Sequence, residues 1–145
     1  MIFIIDGSVE HVAAMHEIEC ESFSAPWTDV SIKHEITDVN SICIVALENE
    51  TVVGHAYMRQ IFDEGHINNL AVKISQRRRG IGSMLVEGLI SAAHKRGITA
   101  LTLEVRVSNT AAISLYEKHG FKPEGLRKNY YTNPSEDGIV MWKYF

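Results

Sequence analysis

The sequence predicts a mixed α/β (α+β) domain: a mostly antiparallel sheet of seven strands with about four helices on its faces. Three observations carry this. Apolar residues switch between period two and period 3.6 in the order β-α-α-β-β-β-α-β-α-β-β, which is not a pure βαβ repeat. The 145 residues, 46% hydrophobic and 22% charged, suit one folded domain, 1–145, with a real core. No internal repeat, low-complexity tract or linker divides the chain.

Ile2 to Ile5 reads as a short strand, and Asp6-Gly7-Ser8 as a turn with Ser8 as a helix N-cap. Val12, Met15 and Ile18 then recur at helical spacing to about Glu21, and Ala25-Pro26-Trp27 breaks the run. Thr28 or Asp29 caps a second short helix through about Glu35. SICIVAL (41–47), TVVGHAYMRQIF (51–62) and HINNLAV (66–72) read as an antiparallel meander, turning at Glu48-Asn49-Glu50 and at Asp63-Glu64-Gly65. A long helix carries Ile81, Met84, Leu85, Leu89, Ala92 and Ala93 on one face and ends at Gly97. ALTLEVRV (100–107) alternates, with Leu101, Leu103, Val105 and Val107 on one face and Thr102, Glu104 and Arg106 on the other. SNTAAISLYEKHG (108–120) is a helix with Ser108 or Asn109 near its cap, and two strands follow, around Phe121 to Tyr131 and Gly138 to Phe145.

Charge and cysteines narrow the function. With 14 basic and 18 acidic residues the net charge is −4, which argues against a general nucleic-acid binder. Cys20 and Cys43 lie outside any CxxC pattern and read as two buried, reduced thiols of a cytoplasmic protein. MIFIIDGSVE has no basic leader or cleavage pattern, so no signal peptide is expected, and no apolar stretch approaches the roughly 20 residues of a membrane span. The seven histidines include no HxxxH or HExxH, so no metal site is expected, and His55 and His119 read as structural.

Against that acidic background, SQRRRGIGSMLVEGL (75–89) stands out. Glycines let backbone approach a ligand closely, and the free N–H groups at a helix start favour an anion. Arg77, Arg78 and Arg79 could add charge-assisted contacts. The loop is not a Walker A motif, because no Gly-Lys-Ser/Thr occurs. Nor is it a dinucleotide fingerprint, because GIGSML lacks the third glycine. It does fit [QR]xxGx[GA] as Arg77-Arg78-Arg79-Gly80-Ile81-Gly82, placed between an apolar strand and an amphipathic helix.

NLAVKISQRRRGIGSMLVEGL (69–89) resembles the acetyl-CoA-binding segment of the GNAT N-acetyltransferase superfamily. LEVRVSNTAAISLYEKHGF (103–121) resembles, more specifically, the RimI-type protein N-terminal acetyltransferases, and ESFSAPWT (21–28) and NYYTNPSEDGIVM (129–141) agree. One departure is Lys73-Ile74-Ser75, where relatives carry an acidic residue or histidine followed by proline. The resemblance implies a GNAT fold whose central strands splay to admit acetyl-CoA. Its diphosphate would lie on the amides of Arg77, Arg78, Arg79, Gly80, Ile81 and Gly82. Its pantetheine arm would pair with Leu70, Ala71 and Val72 and touch Asn109.

By the same resemblance Glu104 is the general base and Tyr116 the acid that protonates the departing sulfur. On strand pattern alone, Glu104 reads as a surface carboxylate beside Arg106, and Tyr116 as a packing residue of its helix. Pro26, Trp27, Tyr130 and Tyr131 would flank the acceptor, or serve only packing and loop closure. An α-amino group, with a pKa near 8, is about one-tenth neutral at pH 7, whereas a lysine amine is neutral in only about one molecule in 2,500. An N-terminal acceptor therefore needs only a modest base. The expected activity is acetyl transfer from acetyl-CoA to a protein N-terminus, with a ribosomal protein as the partner the resemblance implies. The enzyme is expected to work as a monomer or weak dimer without nucleic acid or membrane. A small-amine or lysine acetyltransferase, and a non-catalytic acyl-CoA sensor, are the alternatives.

Overall fold

The computed structural model describes residues 1–145. Its strands are β1 (Ile2–Asp6), β2 (Ser41–Glu48), β3 (Thr51–Ile61), β4 (Glu64–Val72), β5 (Ala100–Arg106), β6 (Lys122–Tyr131) and β7 (Glu136–Tyr144). Its helices are α1 (Val12–Ser22), α2 (Asp29–Thr37), α3 (Ile81–Lys95) and α4 (Thr110–Lys118). The strands make one sheet in the order β1-β2-β3-β4-β5-β7-β6. Every pairing is antiparallel except that of β4 with β5. The mixed seven-stranded sheet and four helices are those expected from the order of periodicities.

Two apolar layers cover the sheet. On one face Met15, Ile18 and Ile32 of α1 and α2 pack on Cys43, Val45, Tyr57 and Ala71. On the other, Ile81, Leu85, Val86, Leu89 and Ala93 of α3 pack on Ile42, Ile44 and Ala46, joined by Tyr116 of α4. Alternate residues of β2 therefore point into different layers. That is why β2 reads as an unbroken apolar run rather than an alternating one. Each fully buried leucine contributes about 1.5–3 kcal/mol by leaving water. Arg59 ties α2 to β3 through Glu35 (3.1 Å) and Asp38 (2.9 Å).

Local chemistry sets most boundaries. Thr28 is the cap of α2, its hydroxyl accepting from Ser31 N–H at 3.1 Å. Asn109 caps α4, its side chain accepting from Ala112 N–H at 3.1 Å. Asn49 and Glu50 both take positive φ, the type I′ turn that the β2–β3 hairpin twist favours. Four expectations are corrected. The second hairpin turns at Phe62 and Asp63, with Phe62 at φ 55°, so β4 already begins at Glu64. A 3-10 turn, Val9–His11, precedes α1, so Ser8 caps that turn instead of the α-helix. β5 stops at Arg106, leaving Val107 exposed. Of the two thiols only Cys43 is buried; Cys20 is exposed on α1.

The seam between β4 and β5 positions the site. Their parallel pairing covers only Glu64, Gly65 and His66 against Ala100, Leu101 and Thr102. Beyond these residues the strands part, and the edge of β4 from Ile67 to Val72 has no strand beside it on that flank. A bulge sharpens the divergence. Tyr57 pairs with Asn69 and Met58 with Ile67, so Asn68 is an extra residue in β4.

Candidate active site

A cleft of about 420 Å³ opens where the two strands part. Its walls include Leu70, Glu104, Asn109, Tyr116, Trp27, Tyr130 and Tyr131, all singled out from sequence. They come from β4, β5, α4, the α1–α2 connection and the end of β6. Pro26 precedes Trp27 in that connection but does not line the cleft.

Glu104 sits on the polar face of β5. The parallel register sets His66 opposite Thr102, one pleat before Glu104 on the same face. His66 Nε2 lies 2.6 Å from Glu104 Oε2, and Arg127 Nε lies 3.5 Å from Oε1. The hydrogen bond from His66 is the main influence holding this carboxyl below its ordinary range; burial opposes it and the charges of His66 and Arg127 assist. Arg106, the partner suggested by the strand pattern, instead pairs with Glu136 at 3.1 Å and lies over the Tyr131 ring. Glu104 is thus a carboxylate with only 10% of its side chain exposed, at the floor of a cleft.

Tyr116 projects from α4 toward the same cleft, its ring edge-on to Phe121 at 5.5 Å. Burial raises the phenol well above its ordinary pKa, so it keeps its proton at any physiological pH. Burial also pushes Tyr131 up to about 12, with help from Tyr130 and Glu104. One group that holds a negative charge and one that holds a proton therefore line the same cleft.

The glycine loop lies at the end of β4. Gly80 is the N-cap of α3 at φ 81°, a conformation that costs glycine nothing. The amides of Gly80, Ile81, Gly82 and Ser83 find no acceptor within the protein, and Met84 N–H to Gly80 O, at 3.1 Å, is the first bond to close. A Cβ on Gly82 would meet the Leu115 side chain at 3.2 Å, a tight contact that Leu115 would have to relieve where the start of α3 lies against α4. Four convergent donors at the positive end of a 15-residue helix fit a diphosphate. The arginines divide differently from expectation. Arg79 grips Glu48 through two bonds (2.9 and 2.6 Å) and also reaches Gln76. Arg77 donates to Val72 O at 3.0 Å and Ser22 Oγ at 3.2 Å. These two guanidinium groups brace the loop against the protein, and only Arg78 is left with a free side chain. Ala71 is buried within β4, while Leu70 and Val72 are half-buried along its open stretch. Asn109 lines the cleft, though its side-chain oxygen is engaged in capping α4.

Sequence reasoning missed His66, Arg127, Asn68 and Asn69. Alternation along β4 could have put His66 on a polar face, but its meeting with Glu104 depends on a register between strands 38 residues apart.

Known proteins resemble this chain in sequence and in fold. The profile of the acetyltransferase (GNAT) family matches residues 12–121. A protein of Escherichia coli (strain K12) named [ribosomal protein bS18]-alanine N-acetyltransferase is 35% identical over 130 residues, 88% of this chain and 87% of its own. The crystal structure of the ribosomal-protein-S18-alanine N-acetyltransferase from Escherichia coli superposes with a TM-score of 0.91 at 33% identity, covering 99% of this chain and 94% of that one. The PaiA N-acetyltransferase of Thermoplasma acidophilum, solved with coenzyme A, shares the fold with a TM-score of 0.83 at 20% identity, covering 100% of this chain and 99% of that one.

Proposed function

The chain belongs to the GNAT acetyltransferase family and is an acetyl-CoA-dependent N-acetyltransferase; from that premise we propose that it acetylates the N-terminal α-amino group of a ribosomal protein, one beginning with alanine. The observation that carries this reading is the sharing of one cleft by a charged Glu104, a protonated Tyr116 and the open edge of β4, beside the free amides of α3. The relative named for alanine acetylation of bS18 supports the choice of acceptor.

Acetyl-CoA supplies an activated acetyl group as a thioester. The amides of Gly80 to Ser83 hold its diphosphate, Arg78 adds charge, and Asn109 and the β4 edge at Leu70 to Val72 guide the arm. Glu104 takes the proton of the incoming amine through a water. Its lowered pKa makes it a weak base, but one that is fully ionised at pH 7, and an α-amine near pKa 8 asks for no more. N–H groups of β4 near the Asn68 bulge, lacking a strand partner on that flank, steady the charge developing on the carbonyl oxygen. Tyr116 gives its proton to the departing sulfur. Trp27, Tyr130 and Tyr131, with Pro26 behind Trp27, shape the acceptor's side of the cleft. The same reading makes residues 1–145 one catalytic domain, working in the cytoplasm as a monomer or weak dimer. No helix is long and apolar enough to cross a membrane.

The test is a library of short peptides with varied first residues, incubated with acetyl-CoA and read by mass spectrometry with the acetyl group located by fragmentation. Acetylation on the α-nitrogen of peptides beginning with alanine is expected. Turnover of polyamines or lysine side chains with no acetylated α-nitrogen would overturn the assignment.

A further inference from the structure

A second carboxylate lies behind the cleft wall. Glu19 of α1 has none of its side chain exposed. Its Oε2 accepts from His55 Nε2 at 2.8 Å, and its Oε1 accepts from the Trp27 amide at 3.0 Å and from Asn69 Nδ2 at 3.0 Å. One turn earlier on the same helix face, His16 Nδ1 sits 3.0 Å from Trp27 O. Both backbone groups of Trp27 are thereby held by α1, while its indole lies flat on Tyr57 at 4.7 Å. Trp27 and Asn69 both line the cleft, from opposite elements, and Asn69 adjoins the bulge residue Asn68.

This cluster is a poor device for stability. It buries an ionisable pair beside a cluster of apolar side chains, and it leaves His55 Nδ1 and Tyr57 Oη without partners. Apolar packing would join α1 to the sheet without those costs. Hydrogen bonds, however, fix directions and distances that apolar contacts leave loose. Unsatisfied buried groups gather where a structure gives up stability for function.

We propose that Glu19 is a positioning residue for the acceptor. By holding the Trp27 amide and the Asn69 carboxamide on one carboxylate, it sets the gap between the α1–α2 connection and β4, and with it the size of the first side chain the cleft admits. The proposal rests on the reading that the acceptor is a peptide N-terminus.

Glu19→Gln and Asn69→Ala test it. The first keeps the volume but has a single acceptor oxygen for three donors; the second removes one spoke and leaves the carboxylate. The readout is the ratio of kcat/KM for peptides with a small and a large first residue, measured with the KM for acetyl-CoA. That ratio does not depend on the fraction of enzyme folded. The ratio is expected to move toward unity by about tenfold, the scale on which a pocket sorts small differences in side-chain size, with the KM for acetyl-CoA unchanged. A folded variant whose kcat falls alike for every peptide, with the ratio unchanged, overturns the proposal. If Glu19→Gln does not fold, Asn69→Ala decides. If the unaltered enzyme turns over no peptide, the acceptor reading fails by itself, and the clamp is tested by the same ratio between small and large amines.

Discussion

Two glutamate–histidine pairs of nearly equal length sit in opposite surroundings in this protein. Glu104 and His66 meet at 2.6 Å in a cleft, with 34% of the histidine side chain exposed; Glu19 and His55 meet at 2.8 Å with nothing exposed on either side. The residue types are the same and so is the bond. What differs is access to water. The open pair can trade a proton with an incoming amine or with solvent, so its carboxylate suits a base. The closed pair can trade with nothing. Its hydrogen bonds can only hold neighbouring groups in place, and breaking them exposes the full penalty of buried polar groups. Burial, more than chemistry, separates the carboxylate proposed as a base from the one proposed as an anchor.

Disrupting each pair should separate activity from stability. Glu104→Gln removes the proposed base while keeping the shape. Initial rates should show kcat/KM for peptides falling about 10²- to 10⁴-fold, with a smaller loss of stability than Glu19→Leu causes. A variant of near-normal activity would remove Glu104 from the chemistry. Glu19→Leu strands three donors, the fully buried His55 among them, and chemical denaturation should show a loss of about 3–5 kcal/mol. Full stability in that variant would mean the closed pair anchors nothing. The smallest effect is the most specific. His66→Gln takes away the imidazole bond and charge that chiefly hold the Glu104 carboxyl low, so an NMR titration of that carboxyl should show its midpoint moved to higher pH. The sign also reaches stability. A carboxyl depressed in the folded state stabilises above its unfolded pKa and loses that contribution as pH falls through the folded value. The contribution of Glu104 should therefore vanish at a higher pH in His66→Gln than in the unaltered enzyme.

Much of the candidate site was legible because its signals are local. The glycines at 80 and 82 and the helix behind them announced an anion cradle, since the four free amides of a helix start follow from backbone geometry alone. Glu104 and Tyr116 were legible only through resemblance. Alternation placed Glu104 on a polar face but assigned it the wrong neighbour, because Arg106 lies two residues away in sequence while His66 arrives from another strand. The basic run misled in a similar way. Three adjacent arginines suggest pooled charge, yet Glu48, 31 residues from Arg79, and the Val72 carbonyl beside Arg77 claim two of them.

The succession of strands and helices along the chain, caps narrowed to Thr28 or Asp29 and to Ser108 or Asn109, and the mouth of α3 were determined by the sequence alone. Each depends on residues within one or two turns of each other, where dihedral preference and side-chain period act directly. Only the tertiary structure decided where β4 leaves β5, that Asn68 bulges, that His66 faces Glu104, and that Glu19 is sealed beneath Trp27. These follow from strand register and layer packing. A slip of one residue turns a side chain to the opposite face, and no local preference fixes that choice; it is settled only when distant segments are buried together.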